Sequence, residues 1–385
     1  MRVLFVDDEP RVLDALERVL FEVTSDWDTR FVTSADAALV ELSKHSYDVV
    51  VSELRLRGMS GAALLKRVAE LYPRTLRVVL SSQSDDEAAL KVVQVAHQFL
   101  AKPCPAETVH QVIARAQALT QLLPDRKLQT LVGQTGALPC AGYLHRELLE
   151  LVARPNEDTT AGAMAQLIKQ DPGMTCKLLQ VAGSAFFNSS SSVTDVETAI
   201  MRLGIDTVKQ LASSFAAARP SVTALPALSA VQMAQQRSLQ IAKLASRMTR
   251  LPEDAMTAYL AGLLCDVGQL VLIHAAPERV YLSQSEAAQR GLPVHQAELA
   301  TWGVTHAEVG AYLLGLWGLP FQVVEAVAHH HAPERYTEDR AGLTQLIWLA
   351  SCIVDGVEVP DELLSRFGVE ALYVAQRDSL PDSPI

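Results

Sequence analysis

Residues 1–10 read MRVLFVDDEP, a strand-like apolar run that stops at two adjacent carboxylates, Asp7 and Asp8. In a parallel sheet buried on both faces a strand is apolar throughout, and its carboxyl end is where polar groups collect. The pattern recurs downstream. Thr29–Thr33, Asp48–Ser52 (DVVVS), Arg77–Ser81 (RVVLS) and Gln98–Ala101 read as four further strands, with helix-period stretches such as Pro10–Glu22 and Ala35–Lys44 between them. This alternation predicts a doubly wound α/β domain over residues 1–120.

The expected rim carries one chemical group per strand. Glu53 follows the third strand, Ser81 and Ser82 end the fourth, and Lys102 follows the fifth. Asp7, Asp8 and Glu53 make an acidic set of the kind that holds Mg²⁺, while a hydroxyl and an ammonium neutralise phosphoryl oxygens.

These stretches, VDDEP, SELRLRGMSG, VVLSS and FLAKP, resemble the receiver domain of two-component response regulators. The resemblance implies a flavodoxin-like (βα)5 fold and a switch made of Ser81, Phe99 and Lys102. Glu53 stands where the family carries its phospho-accepting Asp. One added methylene displaces the carboxylate from an in-line geometry that is sensitive to small shifts. Two outcomes stay open at this point: Glu53 imitates the phosphorylated state by reaching Ser81 or Lys102, or it forms only a salt bridge with Lys102. In either case the expectation is a constitutive receiver that is not phosphorylated. The alternative is a receiver that still answers phosphoryl donors through Glu53, Asp7 or Asp8. Arg57 replaces the Pro usual in this loop, a change expected to touch only loop stiffness.

Ala106–Leu123 reads as a last receiver helix, followed by a helical linker at 121–137 with Gly133–Gly136 and Pro139 as breakers. Beyond it, residues 138–378 show helical periodicity, as at Thr160–Gln170, Thr175–Ala182, Asp195–Leu203, Ala230–Thr249, Ala255–Cys265, His306–Leu316 and Phe321–His331, so the second domain is expected to be all-α. Pro320 is expected in a helical first turn. Ser189–Ser192 reads as a short loop.

Cys265–Asp266, His306 and the run His329–His331 invite a metal-hydrolase reading, since His and Asp on neighbouring helices hold the paired metals of such enzymes. The histidine positions oppose it. None of the ten lies between 146 and 273, so the helix before Cys265 offers no His ligand, and Asp266, His306 and one of the triple His remain. Such a set suits one weakly held cation at most. Plain structural roles are the leading expectation: His306 at a helix cap, Asp266 in a helix-end turn, the His run at a solvated helix end.

The stretches LIKQDPGMTCKLLQVAGSAFF, AIMRLGIDTVKQL, LAGLLCDVGQLVL and WGVTHAEVGAYLLGLWGLPFQVVEAVAHHHAPE resemble the HDOD domain, an output module related to HD phosphohydrolases that lacks their metal ligands. The likeness spans about 138–335. Against the enzymes, Arg237 takes the place of the first His, Cys265 that of the His in the His-Asp pair, and Ser351 that of the last Asp. Gly183 stands where the family usually has Asn. The implied degenerate site is Arg237, Cys265, Asp266, His306, His330 and Ser351, with no metal there and no cofactor required, Mg²⁺ at Asp7, Asp8 and Glu53 being the one candidate ion. The resemblance implies a non-enzymatic signalling regulator that contacts proteins such as a sensor kinase or the enzymes of cyclic di-GMP circuits. A residual metal-dependent phosphodiesterase using Asp266 and His306 is the catalytic alternative. Receivers of this kind commonly pair through the last strand and helices, so a homodimer is a further expectation.

Composition agrees. A net charge of −11 disfavours nucleic-acid binding, five scattered cysteines without a CxxC pair suit a reducing compartment, and the first residues have no signal-peptide pattern. No apolar run is read as spanning a membrane. The expected location is the cytoplasm.

Overall fold

The five apolar runs of the N-terminal third pair side by side in the computed structural model, which describes residues 1–23, 27–82, 86–154, 160–184, 193–215, 225–249, 251–333 and 342–377. Strands β1 (Arg2–Val6), β2 (Asp28–Val32), β3 (Val49–Ser52), β4 (Leu76–Ser82) and β5 (Gln98–Lys102) alternate with helices α1 (Pro10–Val23), α2 (Ala35–Lys44), α3 (Gly61–Leu71), α4 (Asp86–Lys91) and α5 (Ala106–Leu122). All pairings are parallel and the order is β2-β1-β3-β4-β5, the flavodoxin-like arrangement. Every residue of β3 is buried, as a strand covered on both faces requires. Val6 lies beside Ser52, so Asp7 and Glu53 leave adjacent strands at the point where the strand order reverses.

The rest is helical. It runs through α6 (Arg126–Gly133), α7 (Gly142–Val152), α8 (Ala161–Ile168), α9 (Pro172–Ala182), α10 (Val196–Leu203), α11 (Ile205–Phe215), α12 (Leu225–Arg247), α13 (Pro252–Leu264) and α14 (Val267–Ala275). It continues through α15 (Pro277–Arg290), α16 (Val294–Trp302), α17 (His306–Leu316), α18 (Phe321–His329), α19 (Leu343–Val354), α20 (Asp361–Phe367) and α21 (Glu370–Arg377). No strand follows Lys102 among the described residues. Caps explain several starts: Asp171 accepts from the Met174 amide ahead of Pro172, and Thr305 forms a capping box with Glu308. Pro320 is itself the cap of α18, one position earlier than the sequence reading placed it. Ser189–Ser192 lie outside the described residues.

The two halves share one contiguous apolar core. Polar bonds pin their boundary, most of them to carbonyls around α4 and β5. Gln98 donates to the Leu316 carbonyl (3.2 Å), Lys177 to Val93 O (2.8 Å), Gln180 to Ala96 O and His97 O (3.0 and 2.9 Å), and Gln94 to Ser214 O (3.1 Å). The linker helix α6 is tied too, its Gly133 carbonyl accepting from Arg77 at 2.7 Å. One stretch, Glu253–Ala275, does have the length and hydropathy of a membrane span, contrary to the sequence reading. It is divided between α13 and α14 at Cys265–Asp266, and 78% of its most apolar window is buried inside the protein, which makes it a core element.

Candidate functional site

At the sheet rim, Glu53 is the hub. Its Oε1 accepts from the amides of Leu54 (2.6 Å) and Arg55 (3.3 Å) and from the Ser81 hydroxyl, while Oε2 accepts from Lys102. The same ammonium donates to Asp7. Burial works to lower the pKa of Lys102, but its bonds to Asp7 and Glu53 outweigh that and raise it. Asp8 meets Arg57 at 3.4 Å. Each of the three carboxylates therefore faces a cation from the chain, and Lys102 stands between Asp7 and Glu53, where Mg²⁺ would have to compete with it. Arg57 makes its contact with Asp8 from an exposed position. Phe99 is turned inward and buried.

The second constellation lies among α12, α14, α16, α17, α18 and α19. Its central group is Asp266, buried at the start of α14. Oδ2 accepts from the Arg237 guanidinium, whose other nitrogens reach Asp355 (2.9 and 2.8 Å) and Ser351 (2.6 Å). Oδ1 stands 3.3 Å from His306 Nε2 and 3.8 Å from His330 Nε2. His306 donates from Nδ1 to Glu298 at 2.6 Å, and its Nε2 lies 2.9 Å from His331 Nε2. Asp355, Arg237, Asp266, His306 and Glu298 form a chain of alternating charge.

Burial alone would discharge these groups, and the neighbours decide otherwise. It lowers the pKa of His306, but Glu298 and Asp266 outweigh it and hold His306 at about 10. It raises that of Asp266, yet Arg237 and His306 keep the carboxyl well below its usual range. His330, buried and next to His306, is pushed down to about 3, and the buried Cys265 thiol is pushed far up, so Cys265 is no thiolate ligand. The helices meet closely enough for this because Gly268 on α14 faces α17: a Cβ there would come within 1.9 Å of His306 O and 2.7 Å of Gly310 N.

The profile of the HDOD domain matches residues 138–333, just over half of the chain. The chain belongs to the HDOD family. A response regulator receiver domain matches residues 3–114, so the HDOD domain is the output half of a response regulator. An uncharacterised protein of Treponema pallidum is 27% identical over 59% of this chain and 46% of its own length, and the hydrogenase transcriptional regulatory protein HoxA of Cupriavidus necator is 32% identical over 39% and 27%. The chain spans less than half the length of these curated relatives. Among solved structures, the MmoQ response regulator of Methylococcus capsulatus is 26% identical over 63% of this chain and 98% of its own, with a TM-score of 0.48. A virulence factor of Campylobacter jejuni, 16% identical over 68% of this chain and 96% of its own with a TM-score of 0.52, shares the fold.

Within the HDOD half, the structure brings Arg237, Asp266, His306, His330 and Ser351 together and leaves Cys265 turned into the core. It corrects two of the plain roles: Thr305, not His306, caps α17, and His330 is fully buried rather than solvated. Asp266 does lie in the turn between α13 and α14, at the N-cap position of α14, with its carboxylate spent on side chains. Two participants were not singled out from sequence, Glu298 and Asp355, and His331 was named only as part of the run His329–His331. Asp355 follows Ser351 by four residues and so shares its helical face, a usable signal. Glu298 had none, because its role depends on α16 lying against the start of α17.

Proposed function

We propose that the chain is a non-catalytic regulator in which a receiver held in one state by Glu53 governs an HDOD output that acts by contacting other signalling proteins in the cytoplasm. The observation that carries this is the double engagement of Glu53 with Ser81 and Lys102. The hydroxyl and the ammonium that would answer an incoming phosphoryl group are already answered by the side chain at the acceptor position. On the output side, a guanidinium occupies the Oδ2 edge of Asp266 and the neighbouring thiol stays protonated, which suits a structural network better than a hydrolytic one. The family resemblance favours cyclic di-GMP enzymes or a sensor kinase as partners, and the net charge of −11 disfavours nucleic acid. Pairing of two receivers through β5 would require the two halves to part, because that edge is packed on α9 within the chain.

The test exposes the full-length protein to beryllofluoride with Mg²⁺ and follows hydrogen exchange in α17 together with oligomeric state. The wild type is expected to show no response and Glu53→Asp a clear one. In parallel, affinity for a partner captured from lysate is expected to fall at least tenfold in Glu53→Gln. A wild-type response overturns the locked receiver in favour of one still switched by phosphorylation.

A further inference from the structure

Among the described residues, one group of three or more potential metal ligands has its donor atoms within 4.8 Å of one another: Asp266, His306, His330 and His331. Five buried side-chain polar atoms among the described residues have no hydrogen bond of ordinary geometry, and two of them belong to this group, Asp266 Oδ1 and His330 Nε2, which face each other at 3.8 Å. His330 donates from Nδ1 to Val327 O at 2.7 Å, so its orphaned Nε2 carries a lone pair. His306 likewise engages Glu298 through Nδ1 and turns Nε2 inward. The lone pair of His330 Nε2 has no partner in the chain, and Asp266 Oδ1 is met only by the His306 Nε2–H at 3.3 Å, a proton that a bound cation displaces; His331 Nε2 stands 2.9 Å from the same His306 nitrogen. Once His306 gives up its Nε2 proton, a single cation meets all four atoms.

We propose that Asp266 Oδ1, His306 Nε2, His330 Nε2 and His331 Nε2 bind one Zn²⁺ ion in a closed, structural site. Tetrahedral zinc with ligand bonds near 2.0–2.1 Å places its donors roughly 3.4 Å apart. The separations here of 2.9, 3.3 and 3.8 Å bracket that figure, so small rotations of the rings close the shell. Three imidazoles and one carboxylate match the preferences of zinc, and oxygen-seeking Mg²⁺ or Ca²⁺ is excluded. Glu298 and the Val327 carbonyl orient the rings from outside, the arrangement by which a second layer fixes a metal-bound imidazole. Four protein ligands leave no open position for an attacking water, so the site braces α14, α17 and the end of α18 without conferring hydrolysis. Arg237 keeps the other oxygen of Asp266 and holds the place beside it with a fixed charge. The site stands independently of how the receiver works.

The experiment uses untagged full-length protein stripped with a chelator and then titrated with Zn²⁺ alone against a chromophoric competitor, with zinc per chain counted by elemental mass spectrometry. One zinc per chain is expected, together with a rise in melting temperature. His331→Ala removes a ligand at a partly exposed position and is expected to weaken binding at least tenfold; Glu298→Gln, which leaves all four ligands, is expected to weaken it about 10- to 100-fold. His45→Ala, outside the group, leaves it unchanged. Co²⁺ in place of zinc is expected to give the intense visible bands of tetrahedral coordination. Substoichiometric zinc, or zinc indifferent to both substitutions, overturns the site; weak octahedral Co²⁺ bands overturn its closed geometry.

Discussion

Gln98 and Leu316 join the two halves of the molecule: the Gln98 amide, next to Phe99 in β5, donates at 3.2 Å to the carbonyl that ends α17, the helix that begins at His306. Gln98→Leu leaves that carbonyl without its partner at a buried boundary, which costs about 1–3 kcal/mol. Hydrogen exchange is expected to quicken in α17 and β5 together while β1–β3 keep their protection. Uniform quickening over the whole chain would refute a local contact.

Removing Glu53 strips Lys102 of one of its two carboxylates. Glu53→Ala is expected to lower the stability of the receiver half by roughly 1–3 kcal/mol in urea unfolding, and Glu53→Gln by less, because the amide oxygen still accepts from Ser81 or the Leu54 amide. Equal losses would show that the charge, and not the hydrogen bonds, matters.

Arg237→Ala leaves the buried Asp266 carboxylate facing a hole. The expected cost is about 3–5 kcal/mol by chemical denaturation, the magnitude typical of a buried ion pair broken from one side. Arg237→Lys restores a charge but not the fork that spans Asp266, Ser351 and Asp355, so it is expected to recover only part of the loss.

Lys177 gives the domain boundary a pH dependence. Burial pushes its ammonium down to about 7, against an unfolded value near 10.4. Between those values the unfolded chain binds a proton that the folded chain lacks, so this residue makes stability rise with pH, by up to about 1.4 kcal/mol per unit. Lys177→Met is expected to remove that component. It is read as the difference between wild-type and variant unfolding free energies from pH 7 to 10, which cancels the other titrating groups.

The receiver half was legible because its information is local. Each strand announces itself by composition, and the rim residues follow from where each strand stops; the parallel pairing agrees with that reading. The helical half was legible as helices from periodicity, but as a site only through the family resemblance. Arg237, Asp266 and Ser351 lie far apart in sequence and meet only because Gly268 lets α14 press against α17 and because α12 and α19 pack beside them. His331 was one of three adjacent histidines, and periodicity alone does not say which of them turn inward. The pairing of Glu298 with His306 depends on the angle between α16 and α17, which no spacing encodes. The buried role of Lys177 was hidden for the same reason: its partners, Val93 O and the Trp317 ring, come from other elements.

The helix α17 is about 16 Å long, and its two ends serve different masters. His306 at one end belongs to the output network, Leu316 at the other is fastened to the receiver, and Gly315 lies so near Leu119 that a Cβ there would approach to 2.2 Å. Such a chain is not a pair of interchangeable cassettes. A receiver transplanted from another regulator would arrive without the side chains that fit this helix, and a transplanted output would find no socket. Chimeras built at residue 137 should therefore express as two loosely tethered bodies, and those that keep β5, α5 and α17 from one parent should behave as one.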